Sequence, residues 1–158
     1  MHRRQFLRFG ALFATLSPLS FGLPAHEDKI TPISYSRAQW RDRISPEQFR
    51  ILRDEGTEPA FSSALNKEQR QGQYNCAGCD LPLFVSENKY DSGTGWPSFH
   101  TAIHDHIETK IDNSLFSTRT EYHCLRCGGH QGHVFEDGPK PTGLRWCNNG
   151  LALQFVAA

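Results

Sequence analysis

The chain reads as one mainly β domain, its strands antiparallel, preceded by a short helical segment. Three observations predict this class. Short runs with strand-like alternation recur between turn-forming residues, one stretch near residue 45 carries a full set of helix-start signals, and two Cys-x-x-Cys pairs bracket the middle of the chain. With 158 residues, 37% of them hydrophobic, the chain can build one real core.

Each element can be justified in order. Residues 26–39 are polar and mixed and read as a linker, running into a short helical turn near Ser36–Arg41. Ser45 is a good N-cap, Pro46 suits the first helical position, Gln48 can complete a capping box, and Ile44 can staple onto Phe49. Gly56 is placed to end that helix at about Glu55. Gly72 to Val85 reads as strand, cysteine knuckle, strand. Ile103–Ile111 and Leu115–Tyr122 read as strands joined around Asp112 and Asn113. His133–Phe135 and Leu151–Val156 are further short strands, the latter aligning Leu151, Leu153 and Phe155 on one face. Glycine and proline cluster at 91–97 and 138–143, marking irregular loops. Nothing repeats beyond the two knuckles, and no segment is of low complexity.

The first 25 residues stand apart. They hold Arg3, Arg4 and Arg8, no acid, and an apolar run from Phe9 to Leu23. That run is too interrupted for a membrane span of ~20 residues, but it suits the core of a secretion signal. The pair Arg3 and Arg4 resembles a bacterial twin-arginine export signal, with cleavage expected after Ala25. An ordinary secretion signal and an uncleaved anchor are the competing readings. The expected compartment is the periplasm. Removing this segment takes away three positive charges and moves the formal charge from 0 to −3. A weakly acidic chain without a basic stripe argues against nucleic acid as the main partner.

Five cysteines divide into four and one. Cys76, Cys79, Cys124 and Cys127 form the two pairs, and Cys147 is left over. Four thiolates without oxygen or nitrogen ligands suit structural Zn(II), one ion per chain, with no open coordination position. Two disulfides are the alternative, because an oxidising compartment would close unprotected thiols. Cys147 read alone is a small buried hydrophobe. Its neighbours point elsewhere. Arg145 would share its face in a strand and could stabilise a thiolate, and Asn149 continues that face with an amide. A buried arginine requires a partner, and Asp137 is the candidate by charge. His130 and His133 can donate protons near neutral pH, with Asp137, four residues further on, as the carboxylate to set the tautomer, or can simply bond loop carbonyls. Residues 92–99 form a glycine-rich loop carrying Trp96 and Phe99. It lacks the lysine of a phosphate cradle, so it reads as an aromatic wall for a small apolar group or as plain core.

Together these segments resemble the B-type methionine sulfoxide reductases. The resemblance is carried by residues 91–99 (DSGTGWPSF), 130–135 (HQGHVF), 137–139 (DGP), 141–145 (PTGLR), the Cys147 segment and both knuckles, and it runs from about Trp40 to Phe155. It implies a catalytic domain over residues 40–158, with two antiparallel sheets packed around the active site. It implies Cys147 as nucleophile, with His130, His133, Asp137, Arg145 and Asn149 on the polar side. Trp96 would hold the ε-methyl of methionine R-sulfoxide. Thr94 stands where many family members keep a recycling cysteine, so the Cys147 sulfenic acid would need an external thiol, such as a thioredoxin-like protein. A second departure is NGLAL at 149–153, where the family usually reads close to NSASL. A pure binding module on the same scaffold would gain little from a reactive thiol, and the charge disfavours a zinc-ribbon nucleic-acid module.

Overall fold

The structure, a computed structural model, describes residues 29–114 and 117–158; the expected export signal lies outside the described residues. Among the described residues two short α-helices come first, α1 (Arg37–Arg41) and α2 (Pro46–Asp54). Nine strands follow: β1 (Gly72–Cys76), β2 (Pro82–Val85), β3 (Lys89–Tyr90), β4 (Ser98–Phe99), β5 (Ile107–Asp112), β6 (Arg119–Cys124), β7 (His130–Phe135), β8 (Arg145–Asn148) and β9 (Leu153–Ala157). They form a three-stranded sheet in the order β2-β1-β9 and a six-stranded sheet in the order β3-β4-β8-β7-β6-β5. Every pairing is antiparallel, as the fold class requires.

Both helices begin as their sequences dictate. Ser36 with Gln39, and Ser45 with Gln48, close reciprocal capping boxes, and Pro46 opens α2. Helix α2 buries Phe49, Ile51 and Leu52. Its end differs from expectation: Glu55, not Gly56, adopts the left-handed conformation (φ 53°). Gly56 is needed for room instead, because a side chain there would stand 2.8 Å from the Arg50 carbonyl. Glu55 is held by Lys110 of β5 at 2.5 Å.

The core lies between the sheets and is aromatic at its centre. Phe84 of the small sheet stacks on Phe99 of the large one with centroids 4.1 Å apart, and Tyr74 meets Phe99 edge-on at 4.9 Å. Burial of such rings supplies most of the driving force for sheet packing. Four strand starts move from the expected ones, the first of them that of β7, which begins at His130 rather than His133. Residues 103–106 make a turn, so β5 starts at Ile107. The ladder between β5 and β6 pairs Asp112 with Arg119, so β6 starts at Arg119, later than expected. Leu151 does not alternate with Leu153, because Gly150–Ala152 forms a 3₁₀ turn ahead of β9.

Candidate active site and sulfur cluster

Strand β8 carries the single cysteine between two partners. Cys147 stands opposite Ser98 of β4 and opposite His133 of β7. The approach of β7 to β8 is close enough that any side chain on Gly132 would collide with the Cys147 carbonyl, so glycine is required there. Alternation along β8 puts Arg145 and Cys147 on one face. Trp146 and Asn148 turn to the other, where Trp146 packs edge-on against Tyr122 at 5.1 Å and Asn148 donates to the Tyr122 hydroxyl at 2.9 Å.

Cys147 lines a pocket of about 140 Å³ together with Trp96, Phe135, His133, Arg119 and Asn149. Trp96 is fixed by its indole N–H, which donates to the Glu58 carbonyl at 3.1 Å. Phe99 does not belong here, contrary to expectation. Its ring is fully buried in the stack with Phe84 and Tyr74, because β4 turns Ser98 toward Cys147 and Phe99 into the core. Phe135 takes the second aromatic place, and the Arg145 guanidinium lies 4.3 Å from its ring centroid.

Arg145 finds the partner expected for it. Asp137 accepts from Nε at 2.8 Å and from Nη2 at 2.9 Å, a bidentate pair on a nearly buried arginine. Burial pushes the Cys147 thiol above its ordinary value. Arg145 acts against burial, as anticipated, and so does a hydrogen bond from Thr94, but burial outweighs both.

The carboxylates that set the two imidazoles are different ones from Asp137. His133 donates from Nε2 to Asp112 at 2.8 Å, and Asp112 also receives Arg119 at 2.6 Å. Hydrogen bonds from Ser114, then His133, hold the Asp112 carboxyl well below the usual range. His130 is buried behind the pocket and touches His133 edge-on with centroids 5.6 Å apart. It donates from Nδ1 to Glu121 at 2.8 Å, and burial depresses its basicity even so. Asp137 lies beyond the end of β7 and turns to β8, so it reaches neither ring. Asn149 reaches the pocket, but its amide is occupied: it accepts from the Glu58 N–H at 3.0 Å and donates to the Gln131 carbonyl at 3.0 Å. Sequence reasoning overlooked Glu58, which is 2% exposed and accepts from the Gly150 and Leu151 N–H groups at 2.6 and 3.0 Å.

The other four cysteines converge. All four sulfurs lie within 4.8 Å of one another, the one such cluster among the described residues. Two close separations run across the knuckles, 3.6 Å for Cys76 to Cys127 and 3.4 Å for Cys79 to Cys124. Disulfide sulfurs would stand ~2.05 Å apart, whereas four sulfurs ~2.3 Å from a tetrahedral ion stand ~3.8 Å apart. Every cysteine is free, and the spacing fits a metal ion. Arg53 and Gln131 donate to Cys127 and Cys76 sulfur at 3.3 and 3.4 Å, as thiolate ligands require. Leu52 of α2 closes over both turns at Gly78 and Gly129.

Known proteins share this arrangement of sequence. The SelR domain matches residues 44–157. Peptide methionine sulfoxide reductase MsrB of Leptospira interrogans is 51% identical over 124 residues, covering 78% of this chain and 95% of that protein. The MsrB of Thiobacillus denitrificans is 51% identical over 119 residues, 75% of this chain and 90% of its own. Human methionine-R-sulfoxide reductase B2, a mitochondrial protein, is 47% identical over 128 residues, 76% of this chain and 70% of its own. With the domain match spanning both knuckles and the whole pocket, this chain belongs to the SelR family, the B-type methionine sulfoxide reductases.

Proposed function

We propose that this protein is an oxidoreductase that reduces methionine R-sulfoxide, chiefly in oxidised proteins, with Cys147 as nucleophile. The observation that carries this reading is the convergence of Cys147, an aromatic pair and a carboxylate-held imidazole on one small pocket. The substrate's methyl group fits between Trp96 and Phe135. Its oxygen then faces His133, whose proton-donating capacity is supported by Asp112. The Cys147 thiolate attacks the sulfoxide sulfur as that oxygen is protonated. The oxygen passes to Cys147, which is oxidised by two electrons to a sulfenic acid, and methionine leaves. Arg145 favours the thiolate, and Asp137 holds Arg145 in line.

Recovery needs two equivalents of external thiol. The first condenses with the sulfenic acid, releasing water and leaving a mixed disulfide; the second releases Cys147 as thiol. The other four cysteines are committed to the cluster, and Thr94, not a cysteine, adjoins Cys147. A thioredoxin-like protein suits this task.

Cys76, Cys79, Cys124 and Cys127 would hold one Zn(II). When bound, zinc neutralises the crowded thiolates and ties the β1–β2 turn to the β6–β7 turn, a structural service. Residues 1–25 serve as a twin-arginine signal in this reading, and the mature enzyme works in the periplasm, touching the membrane only through that segment. Incubating the purified protein with each epimer of N-acetylmethionine sulfoxide and dithiothreitol tests the activity. Loss of the R epimer alone is expected. Loss of neither would overturn the enzyme reading, and loss of the S epimer would overturn the stereochemistry.

A further inference from the structure

Gln131 stands between the two sulfur environments. The pairing of β6 with β7 runs Tyr122↔Gly132 and then His123↔His130, so Gln131 is the extra residue of a β-bulge, without a ladder partner on β6. Bulges of this kind re-aim a side chain beside a functional site. The Gln131 side chain is fully buried, which is costly for an amide unless both of its ends are bonded. Both are met. Nε2 donates to the Cys76 sulfur at 3.4 Å, and Oε1 faces the Asn148 side-chain nitrogen at a longer 3.5 Å. The Gln131 carbonyl accepts from the Asn149 backbone N–H at 2.9 Å and from the Asn149 amide at 3.0 Å. Asn148 and Asn149 directly follow Cys147, and both line the pocket.

Chemistry fixes which way the amide points. A sulfur bound to a metal offers only lone pairs, so Gln131 must turn its NH2 to Cys76 and its oxygen to Asn148. Asn148 then shares its own NH2 between that oxygen and the Tyr122 hydroxyl, 2.9 Å away. Reversing the Gln131 amide would set NH2 against NH2 at Asn148. The cluster's demand for a donor therefore orients a side chain that ends against the residue next to Cys147.

We propose that Gln131 is a positioning residue that transmits the geometry of the metal-loaded cluster to the pocket, holding Asn148 and Asn149 in place beside Cys147. The inference rests on a metal in the cluster and on Cys147 as the reacting group, and two of its three readouts need no sulfoxide.

The test compares wild type with Gln131→Met, which keeps the side chain's length but cannot donate, and with Gln131→Leu should the first variant fold poorly. Zn(II) affinity, read by competition with a chelator of known strength, should fall about tenfold in both, the usual scale for a partner of a metal ligand. Replacing Zn(II) with Cd(II), a larger ion that moves the sulfurs apart, should shift the side-chain amide resonances of Asn148 and Asn149 in wild type, and much less in Gln131→Met. In the zinc-loaded variants kcat/KM for N-acetylmethionine R-sulfoxide should fall about tenfold. Zinc affinity equal to wild type in both variants would overturn the link to Cys76. Asparagine resonances that ignore the metal in wild type, a result that needs no variant, would overturn the link to the pocket, and so would an equal shift in Gln131→Met. An unchanged kcat/KM would overturn the positioning role. A wild type without turnover would instead overturn the reductase reading, with the zinc and resonance readouts still deciding the coupling.

Discussion

The molecule puts the same element, sulfur, into two unlike surroundings. In the cluster, four sulfurs face one another, N–H donors of Arg53 and Gln131 reach two of them, and Leu52 closes over the knuckles. At Cys147 one sulfur lines an open pocket beside an arginine, an imidazole and a hydroxyl. Neither thiol type is reactive by virtue of being cysteine. Access and the company of groups that move charge decide the matter. The contrast also explains why β7 serves both regions: its first residues follow the second knuckle, while His133 stands beside Cys147.

Crossing the two regions by mutation should give the largest effect. Cys147→Ser should reduce turnover to the uncatalysed background while one metal ion per chain remains, read by elemental analysis alongside the epimer assay. Cys127→Ser should do the reverse to the protein: it loses the ion and more than about 4 kcal/mol of stability, measured by denaturant titration. If Cys147→Ser released the metal, the division of cysteines into four and one would collapse. A smaller effect isolates the electrostatics of the open site. Arg145 pulls the Cys147 thiol down against burial, so Arg145→Gln should leave it higher still. Turnover should fall about tenfold to a hundredfold at neutral pH and recover partly in alkaline buffer, as a pH–rate profile would record.

The smallest expected effect lies behind the pocket. His130 is held below its ordinary value by burial; its neutral form is the folded one. Burial pushes Glu121 up, but His130 and Lys110 outweigh it and hold the carboxyl down. In both cases the folded state resists protonation. Their stabilisation is therefore present above about pH 6.5 for His130 and is lost as pH falls below it, with Glu121 following at lower pH. Thermal melts should show Tm declining by a few degrees on acidification, and Glu121→Gln should flatten the lower part of that decline. A Tm that rises toward acid would contradict the buried, neutral imidazole.

Much of this was legible in the sequence where one residue's chemistry dictates its neighbour's. The capping box of Ser45 and Gln48, the four-and-one cysteine division and the Arg145–Asp137 pair all follow from short-range rules. Alternation tells which residues share a face, but not which strand lies alongside. Asp112 and Glu121 therefore escaped notice, since they meet the imidazoles only through the β5-β6-β7 register. Phe99 was misplaced for a related reason. Its loop carries two aromatic residues, and only the pairing of Ser98 with Cys147 decides which ring faces the pocket. The signal for Asp112, Arg119 and Glu121 was present as charged residues within a strand hairpin, but its meaning depended on a neighbour.

Glu58 has a consequence in time as well as in space. It meets Asn149 and Gly150 across 91 and 92 residues of chain, and its carbonyl holds the Trp96 ring. Loops that long close late in folding, after local turns and hairpins have formed. Both walls of the pocket thus come together in one of the last steps, when residues 149–151 dock on the Glu58 segment. The amide hydrogens of Glu58, Gly150 and Leu151 should exchange with solvent only as fast as the whole domain opens. Catalytic geometry here is a property of the finished fold, and no fragment of the chain carries it.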